Sequence, residues 1–209
     1  MNVTFYATKP MARFLKRCFG MQVERLPCDD PKAVGRVPLL SSPTHVAWQL
    51  HVVQTNRDHR DEVIIAIEAS SRYVVLIPAD WRLRTVDDLE SLLMDRWIEE
   101  LLLLKAQTPH LGTDQTDTVL GHLLTSQHQT AWLTNTDLSI NGHLTDTDHW
   151  IASELHHRRR SILQPQDARD LAWYLNTQPK RLTRSDGIKS TIVPAEEMIL
   201  LCLMPYQLM

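Results

Sequence analysis

Apolar and polar positions change their period several times along the chain, and each period predicts a different element. Residues 2–7 alternate apolar with polar, as a half-buried strand does. From Met11 onward the apolar positions fall on one helical face, with Pro10 in the first turn and Gly20 as a stop. The pattern therefore predicts a strand followed by a helix over residues 9–19.

Three apolar segments follow a proline-rich stretch, residues 21–44, that predicts a long irregular connection. Residues 45–53 alternate, whereas 62–69 and 72–78 are nearly continuous apolar runs, as in strands covered on both faces. The spacers between the three segments are short and turn-like. Together they predict three strands in an antiparallel meander.

The second half of the chain is mainly helical in pattern. A broad leucine stripe predicts a helix over 86–105, opened by a capping box of Thr85 and Asp88. A short helix over 118–127 and a strand over 129–134 come next, and then a turn with Asn141-Gly142 as its strongest signal. Further predicted elements are helices over 146–160, 165–176 and 194–203, the last stopped by Pro205, and a basic loop over 177–191.

These elements predict a single α+β domain over residues 1–209. Its sheet is expected to be mainly antiparallel, with about five strands packed with helices. A chain of 209 residues with 43% hydrophobic and 22% charged residues has the composition of a globular protein.

Charge and cysteine content narrow the function classes. A net charge of −3 does not indicate a dedicated duplex-DNA binder. Three cysteines without a CxxC pair do not indicate a disulfide framework or a cysteine-rich zinc site. The first twenty residues lack the unbroken apolar segment of a signal peptide, and no apolar run is long enough to span a membrane. A soluble cytoplasmic protein is predicted.

The sequence holds no GxSxG, Walker A or GxGxxG motif. Cys28 with His45 or His51 would supply the residue types of a nucleophile and base, without a spacing that supports the pair. His45, Gln49 and His51 share one strand face and could do acid–base chemistry if that face lined a cleft. Hydrogen-bonded or partly exposed histidines are the favoured interpretation.

The segment 143–160, HLTDTDHWIASELHHRRR, concentrates histidine, carboxylate and arginine. The favoured interpretation is a helix with well-placed ends, in which Asp146, or Thr145 with Asp148, caps the first turn. The basic residues at its far end would then complement the helix dipole.

Two other interpretations of the basic and histidine-rich segments remain open. A metal site would need His143, Asp146 and His149 to converge, and their spacing supports this only loosely, so neither a metal nor another cofactor is predicted. An anion site, or a site for single-stranded nucleic acid, would use two basic clusters without interleaved aromatic residues. The residues of these clusters are Arg158, Arg159, Arg160, Lys180, Arg181 and Arg184.

The chain also resembles a bacterial domain family of unknown function. Four stretches carry the resemblance: ATKPMARFL, WQLHVVQTNRDHRDEVIIAIEASSRYVVLIP, WLTNTDLSINGHLTD and WYLNTQPKRL…IVPAEEMI. The family usually has asparagine where His51 stands and a more basic residue near Leu138. The resemblance implies an α+β domain with a mainly antiparallel sheet and implies no established chemistry. It draws attention to a polar turn formed by Thr134, Asn135, Asp137, Ser139 and Asn141.

Three functions are compatible with these patterns. The favoured one is a cytoplasmic binding or interaction protein whose partner is a protein, a small molecule or a second copy of the chain. The first alternative is a metal- or phosphate-handling enzyme that uses segment 143–160. The second is a binder of single-stranded nucleic acid through residues 158–160 and 180–184.

Overall fold

A six-stranded mixed sheet lies between two layers of helices in the computed structural model of the chain. The structure describes residues 2–25, 38–42, 44–56, 61–79, 83–107, 129–183 and 189–207. The prediction of a sheet packed with helices is therefore confirmed.

The strands of this sheet lie in the order β2-β6-β1-β3-β4-β5. Their bounds are β1 Asn2–Ala7, β2 Glu24–Arg25, β3 His45–Asn56, β4 Asp61–Glu68, β5 Val74–Ala79 and β6 Gln129–Thr134. The predicted antiparallel meander β3-β4-β5 is confirmed. The prediction of a mainly antiparallel sheet is wrong, because β1 pairs in parallel with both β3 and β6, and β2 pairs in parallel with β6. Alternation along one strand does not report the direction of its neighbours, so the sequence pattern could not reveal this.

Five helices and a two-stranded hairpin complete the described part of the chain. The helices are α1 Lys9–Phe19, α2 Val86–Gln107, α3 Leu138–Arg158, α4 Pro165–Thr177 and α5 Pro194–Gln207. The hairpin strands are β7 Lys180–Thr183 and β8 Lys189–Ile192. None of the described helices combines the length and the hydropathy that crossing a membrane requires.

The two faces of the sheet bury separate cores. Helices α1, α2 and α5 cover the face that carries Phe5 and Trp48, whereas α3 and α4 cover the face that carries Ala47 and Ile65. The predicted division of β3 into two sides is thus confirmed. β5 is the last strand of the described sheet and is still buried on both faces, since α2 and α4 both pack against it.

Helix α3 begins at Leu138, well before the predicted start at residue 146, and it includes Asn141-Gly142. Its N-cap is Asp137, whose Oδ1 accepts a hydrogen bond of 2.7 Å from the backbone N–H of Ser139. The predictions of a turn at Asn141-Gly142 and of a cap at Asp146 are wrong. Ile140 and Leu144 are buried against the sheet, so tertiary packing outweighs the turn preference of Asn-Gly.

Other boundaries are confirmed or corrected. The capping box of α2 is confirmed, because Thr85 and Asp88 exchange hydrogen bonds of 2.8 and 3.1 Å. Helix α5 continues through Pro205, and the predicted basic loop over 177–191 contains the hairpin β7–β8. The predicted helix over 118–127 lies outside the described residues.

The position of the α3 cap can be tested by comparing two aspartates. Asp137→Ala should lower the free energy of unfolding by about 2 kcal/mol, because it removes a cap and leaves buried N–H groups unpaired. Asp146→Ala, on the exposed side of the same helix, should change it by less than about 0.5 kcal/mol. Urea unfolding monitored by circular dichroism measures both values. Equal losses for the two variants would contradict the assignment of the cap.

Candidate ligand-binding crevice at the ends of the parallel strands

The carboxyl ends of β1 and β6 are neighbours, and the chain leaves them toward opposite faces of the sheet. α1 follows β1 on one face, and α3 follows β6 on the other. In open sheets with parallel strands, this change of side leaves a crevice beyond the strand ends where ligands commonly bind. A cavity of about 350 Å³ lies there. Its lining residues, which define the crevice, are Thr8, Lys9, Pro10, His51, Thr136, Asn141, Leu144, Thr145 and Asp148.

The start of α1 contributes positive charge to the crevice. Thr8 occupies the N-cap in an extended conformation, and its side chain does not cap the helix. The Thr8 hydroxyl instead donates to the carbonyl of Leu50 at 3.0 Å. The first turn contains no acidic residue, and Lys9 is exposed at its first position. The positive end of the helix dipole and the Lys9 ammonium therefore act together.

The Thr8 hydroxyl also determines which nitrogen of His51 carries a proton. Thr8 Oγ1 lies 2.9 Å from His51 Nδ1. A hydroxyl has one proton, and the carbonyl of Leu50 can only accept it. Nδ1–H must then donate to Thr8 Oγ1, and in the neutral ring Nε2 keeps a lone pair.

The imidazole of His51 is neutral at pH 7. Burial lowers the pKa of His51 below its ordinary value of 6.5, and the nearby Asp148 carboxylate only partly opposes this effect. The crevice thus holds an uncharged hydrogen-bond acceptor with a defined tautomer beside a carboxylate.

Gln49 fixes the start of α3 against the sheet. Its buried side chain accepts a hydrogen bond of 2.6 Å from the backbone N–H of Asp137. Its amide nitrogen donates a hydrogen bond to Asn141 Oδ1 at 3.4 Å. The second oxygen of Asp137 accepts from the backbone N–H of Leu39 at 2.8 Å. These bonds orient the side of α3 that lines the crevice.

A buried arginine, Arg72, also contacts the start of α3. Arg72 is only 6% exposed and donates to the Ser139 hydroxyl at 2.9 Å. Burial lowers the pKa of Arg72, while the carboxylates of Asp137 and Glu68 raise it. The carboxylates of Asp137 and Glu68 therefore compensate the buried charge of Arg72 only in part, and Arg72 is not among the residues that line the crevice.

Asn135 is a buried amide between β6 and the crevice. It is 2% exposed, and neither polar atom of its side chain has a hydrogen-bond partner among the described residues. Its backbone N–H donates to the carbonyl of Ala7, which holds it at the carboxyl end of β1, directly before the lining residue Thr136. Leaving a buried amide unpaired costs about 1–3 kcal/mol.

The residues of the predicted polar turn and of the predicted strand face do not share one site: some have structural roles and others line the crevice. Asp137 and Ser139 belong to the buried network, the Thr134 hydroxyl donates to the carbonyl of Val23 at 3.3 Å, and Asn141 lines the crevice. On the strand face, Gln49 is structural, and His45 is bonded to Thr4 at 2.9 Å. His51 is the one residue of that face that lines the crevice. Cys28 lies outside the described residues.

The predicted anion cluster does not form one surface. Arg158 and Arg160 each bind a different oxygen of Asp167 at 2.8 Å. Lys180 and Arg181 instead lie beside Asp146, about 18 Å from residue 158 along the axis of α3. Arg159 is the exposed left-handed residue that ends α3, and Arg184 lies outside the described residues.

The histidines of segment 143–160 do not gather around a metal position in the described part of the chain. There, no group of three or more histidine, cysteine, aspartate and glutamate side chains is arranged to hold an ion. His143 and Asp146 line a second pocket, and His149 is exposed outside it.

Sequence reasoning gave no site role to five lining residues and considered two others, Thr145 and Asp148, only as helix caps. The five are Thr8, Lys9, Pro10, Thr136 and Leu144. The segment ATKP after a strand was the only local signal, since it places a lysine at the first position of a helix. This signal places Lys9 beside a crevice only if β1 pairs in parallel with its neighbours, and the sequence pattern did not reveal that pairing.

No family model, no curated protein and no solved structure matches the chain. The resemblance to a bacterial domain family therefore stays a prediction.

The tautomer of His51 is testable by NMR of the imidazole nitrogens. At pH 7 we expect His51 to carry its proton on Nδ1 and to have an unprotonated Nε2, because Nδ1–H donates to Thr8. Thr8→Val removes that acceptor, so it should relax the tautomer preference and lower the free energy of unfolding by about 1 kcal/mol. His45, bonded to Thr4, serves as the unchanged internal reference. A wild-type His51 protonated on Nε2 would contradict the assignment.

Proposed function

We propose that this protein binds a small polar molecule in the crevice, with an anionic group at one end and a hydrogen-bond donor at the other. The main support is that one cavity contains both a positive and an accepting end. The start of α1, which no side chain caps, and Lys9 line it together with the carboxylate of Asp148 and with His51. The sequence-based expectation of a bacterial cytoplasmic binding protein is kept as part of this proposal.

The anionic group of the ligand is expected at the start of α1. Free backbone N–H groups and the dipole make a helix start attractive to phosphate and carboxylate. In α1 Pro10 contributes no N–H, so the attraction depends on the other first-turn N–H groups, on the dipole and on Lys9. Because Thr8 directs its hydroxyl to Leu50, it does not occupy the position that a capping side chain would take. Lys9 adds a full positive charge.

The donor group of the ligand is expected near His51 and Asp148. The Nε2 lone pair and the carboxylate both accept hydrogen bonds, and a neutral His51 does not repel an amino group. Asn141 and Thr136 can donate to a ligand or accept from it, whereas the Thr145 hydroxyl, which donates to the carbonyl of Asn141 at 3.0 Å, can only accept. An amino or hydroxyl group is therefore preferred over an apolar end.

The size of the cavity supports a small molecule. At about 350 Å³, the crevice is at the lower end of the range of roughly 300–1,000 Å³ typical of small-molecule sites.

An enzyme is the second candidate function. It is favoured by one observation, since a neutral His51 with a bare Nε2 could take a proton from the donor group of the ligand.

The proposed ligand class can be tested with O-phosphoethanolamine, which carries a phosphate and an amino group. Its affinity, measured by NMR titration at constant ionic strength, should be about tenfold higher than that of ethyl phosphate, because only the former can donate to Asp148. Asp148→Asn should reduce this preference. Equal affinities of the two compounds for the wild-type protein would contradict the donor end of the proposal.

The anionic end is tested separately with two lysine variants of α1. Lys9→Gln should weaken the binding of O-phosphoethanolamine about tenfold, because it removes a charge beside the anion. Lys16→Gln changes another exposed lysine, in the last turn of the same helix, and should have little effect. If both variants bind as the wild-type protein does, the start of α1 is not the anion site.

A further inference from the structure

A second cavity of about 400 Å³ lies on the opposite side of α3. Residues from α3, from the end of α4 and from β7 line it. The lining residues on α3 are at positions 143, 146, 147 and 150. At about 3.6 residues per turn, these positions lie roughly half a turn around the helix axis from the positions that line the crevice. This cavity, called the α3–β7 pocket here, is thus separated from the crevice by the helix itself.

Two large aromatic side chains line the α3–β7 pocket and remain accessible. Trp150 and Tyr174 are 40% and 42% exposed. Their ring centroids are 5.2 Å apart, with an angle of 62° between the planes. Neither ring is covered by the core, so the pair offers aromatic surface on which a planar ring can stack.

Two cations line the same pocket. Lys180 and Arg181 come from the first strand of the hairpin. Lys180 is half-buried, and burial lowers its pKa to about 8, with Asp146 opposing and Arg72 reinforcing this shift. Its charge is thus poorly compensated in the free protein, and an anion would stabilise it.

His143 adds a neutral polar group. Burial, followed by the charges of Lys180 and Arg72, lowers the pKa of His143 to about 4. The imidazole is therefore uncharged at neutral pH and can exchange hydrogen bonds with a ligand without repelling Lys180. Asp146 is the one carboxylate among the lining residues of this pocket.

We propose that the α3–β7 pocket binds a planar aromatic ligand that carries a phosphate, of the nucleoside monophosphate class. Its ring stacks on the face of Trp150 with Tyr174 at its edge, and its phosphate binds Lys180 and Arg181. Lys180 and Arg181 were predicted as anion-binding candidates, but their aromatic neighbours were not, because the aromatic residues are contributed by α3 and α4 whereas the cations come from β7. The proposal does not depend on the crevice or on its ligand.

The probe is adenosine 5′-monophosphate, titrated against the full chain by calorimetry at pH 7. Adenosine alone and inorganic phosphate alone should each bind at least about tenfold more weakly, since each makes only one of the two contacts. Trp150→Ala and Lys180→Gln should each weaken binding about tenfold, and Trp150→Phe should restore most of the loss. Arg158→Gln, which alters a cation already paired with Asp167, should leave the affinity unchanged.

A pH titration distinguishes Lys180 from a general charge effect. The groups around it are His143 and Asp146 from α3, Tyr174 from α4, Arg72 from the β4–β5 turn and Arg181 from β7. Between pH 7 and 9 the phosphate stays dianionic while Lys180 loses its proton, so the affinity should fall. Lys180→Arg should remove this dependence, because arginine stays charged.

Chemical-shift mapping on the wild-type protein guards against variants that fail to fold. The nucleotide should perturb the amides of residues 143–150, 174–178 and 180–181. Three results would overturn the proposal: no binding at 10 mM nucleotide (about the weakest affinity worth measuring), affinity unchanged in Trp150→Ala and Lys180→Gln, or shifts confined to the crevice.

Discussion

The parallel placement of β1 between β3 and β6 is the constraint on which the candidate site depends. Parallel pairing brings the carboxyl ends of β1 and β6 to one edge of the sheet, beside His51 within β3, and the helices that follow β1 and β6 then leave toward opposite faces. Neither helix can cover the edge from which both depart. The crevice is therefore a consequence of topology.

Polar side chains in this protein do two kinds of work. Some align elements: Gln49 of β3 accepts a hydrogen bond from the backbone N–H of Asp137 and donates to Asn141 of α3, and Arg72 donates to Ser139 from the β4–β5 turn. In the proposed function, other polar side chains are available to the ligand because their protein partners leave one hydrogen-bonding group unused. Thr8 connects the two roles. Because its hydroxyl bonds to Leu50 and His51, it does not cap α1, and it fixes the tautomer of the imidazole.

Much of the local structure was predictable because it depends on neighbours in sequence. The helix over 9–19, the two sides of β3 and the Thr85–Asp88 capping box all follow from short-range periodicity and capping rules. The start of α3 was not predictable in this way. Asp137 caps the helix with help from Leu39 and Gln49, which lie far away in sequence, and burial of Ile140 holds Asn141-Gly142 in helical form. The same limit applied to the sites, since His51 meets Thr8 and Trp150 meets Tyr174 only after folding.

The most direct measurement is a crystal structure of the protein soaked in O-phosphoethanolamine. The topology and charge of the crevice predict difference density between α1 and α3, with the phosphate at the first turn of α1 beside Lys9 and the amino group within hydrogen-bond distance of Asp148 or His51 Nε2. Density elsewhere with an empty crevice, or a protein side chain capping α1 in that position, would contradict the conclusion that the strand ends form the binding site.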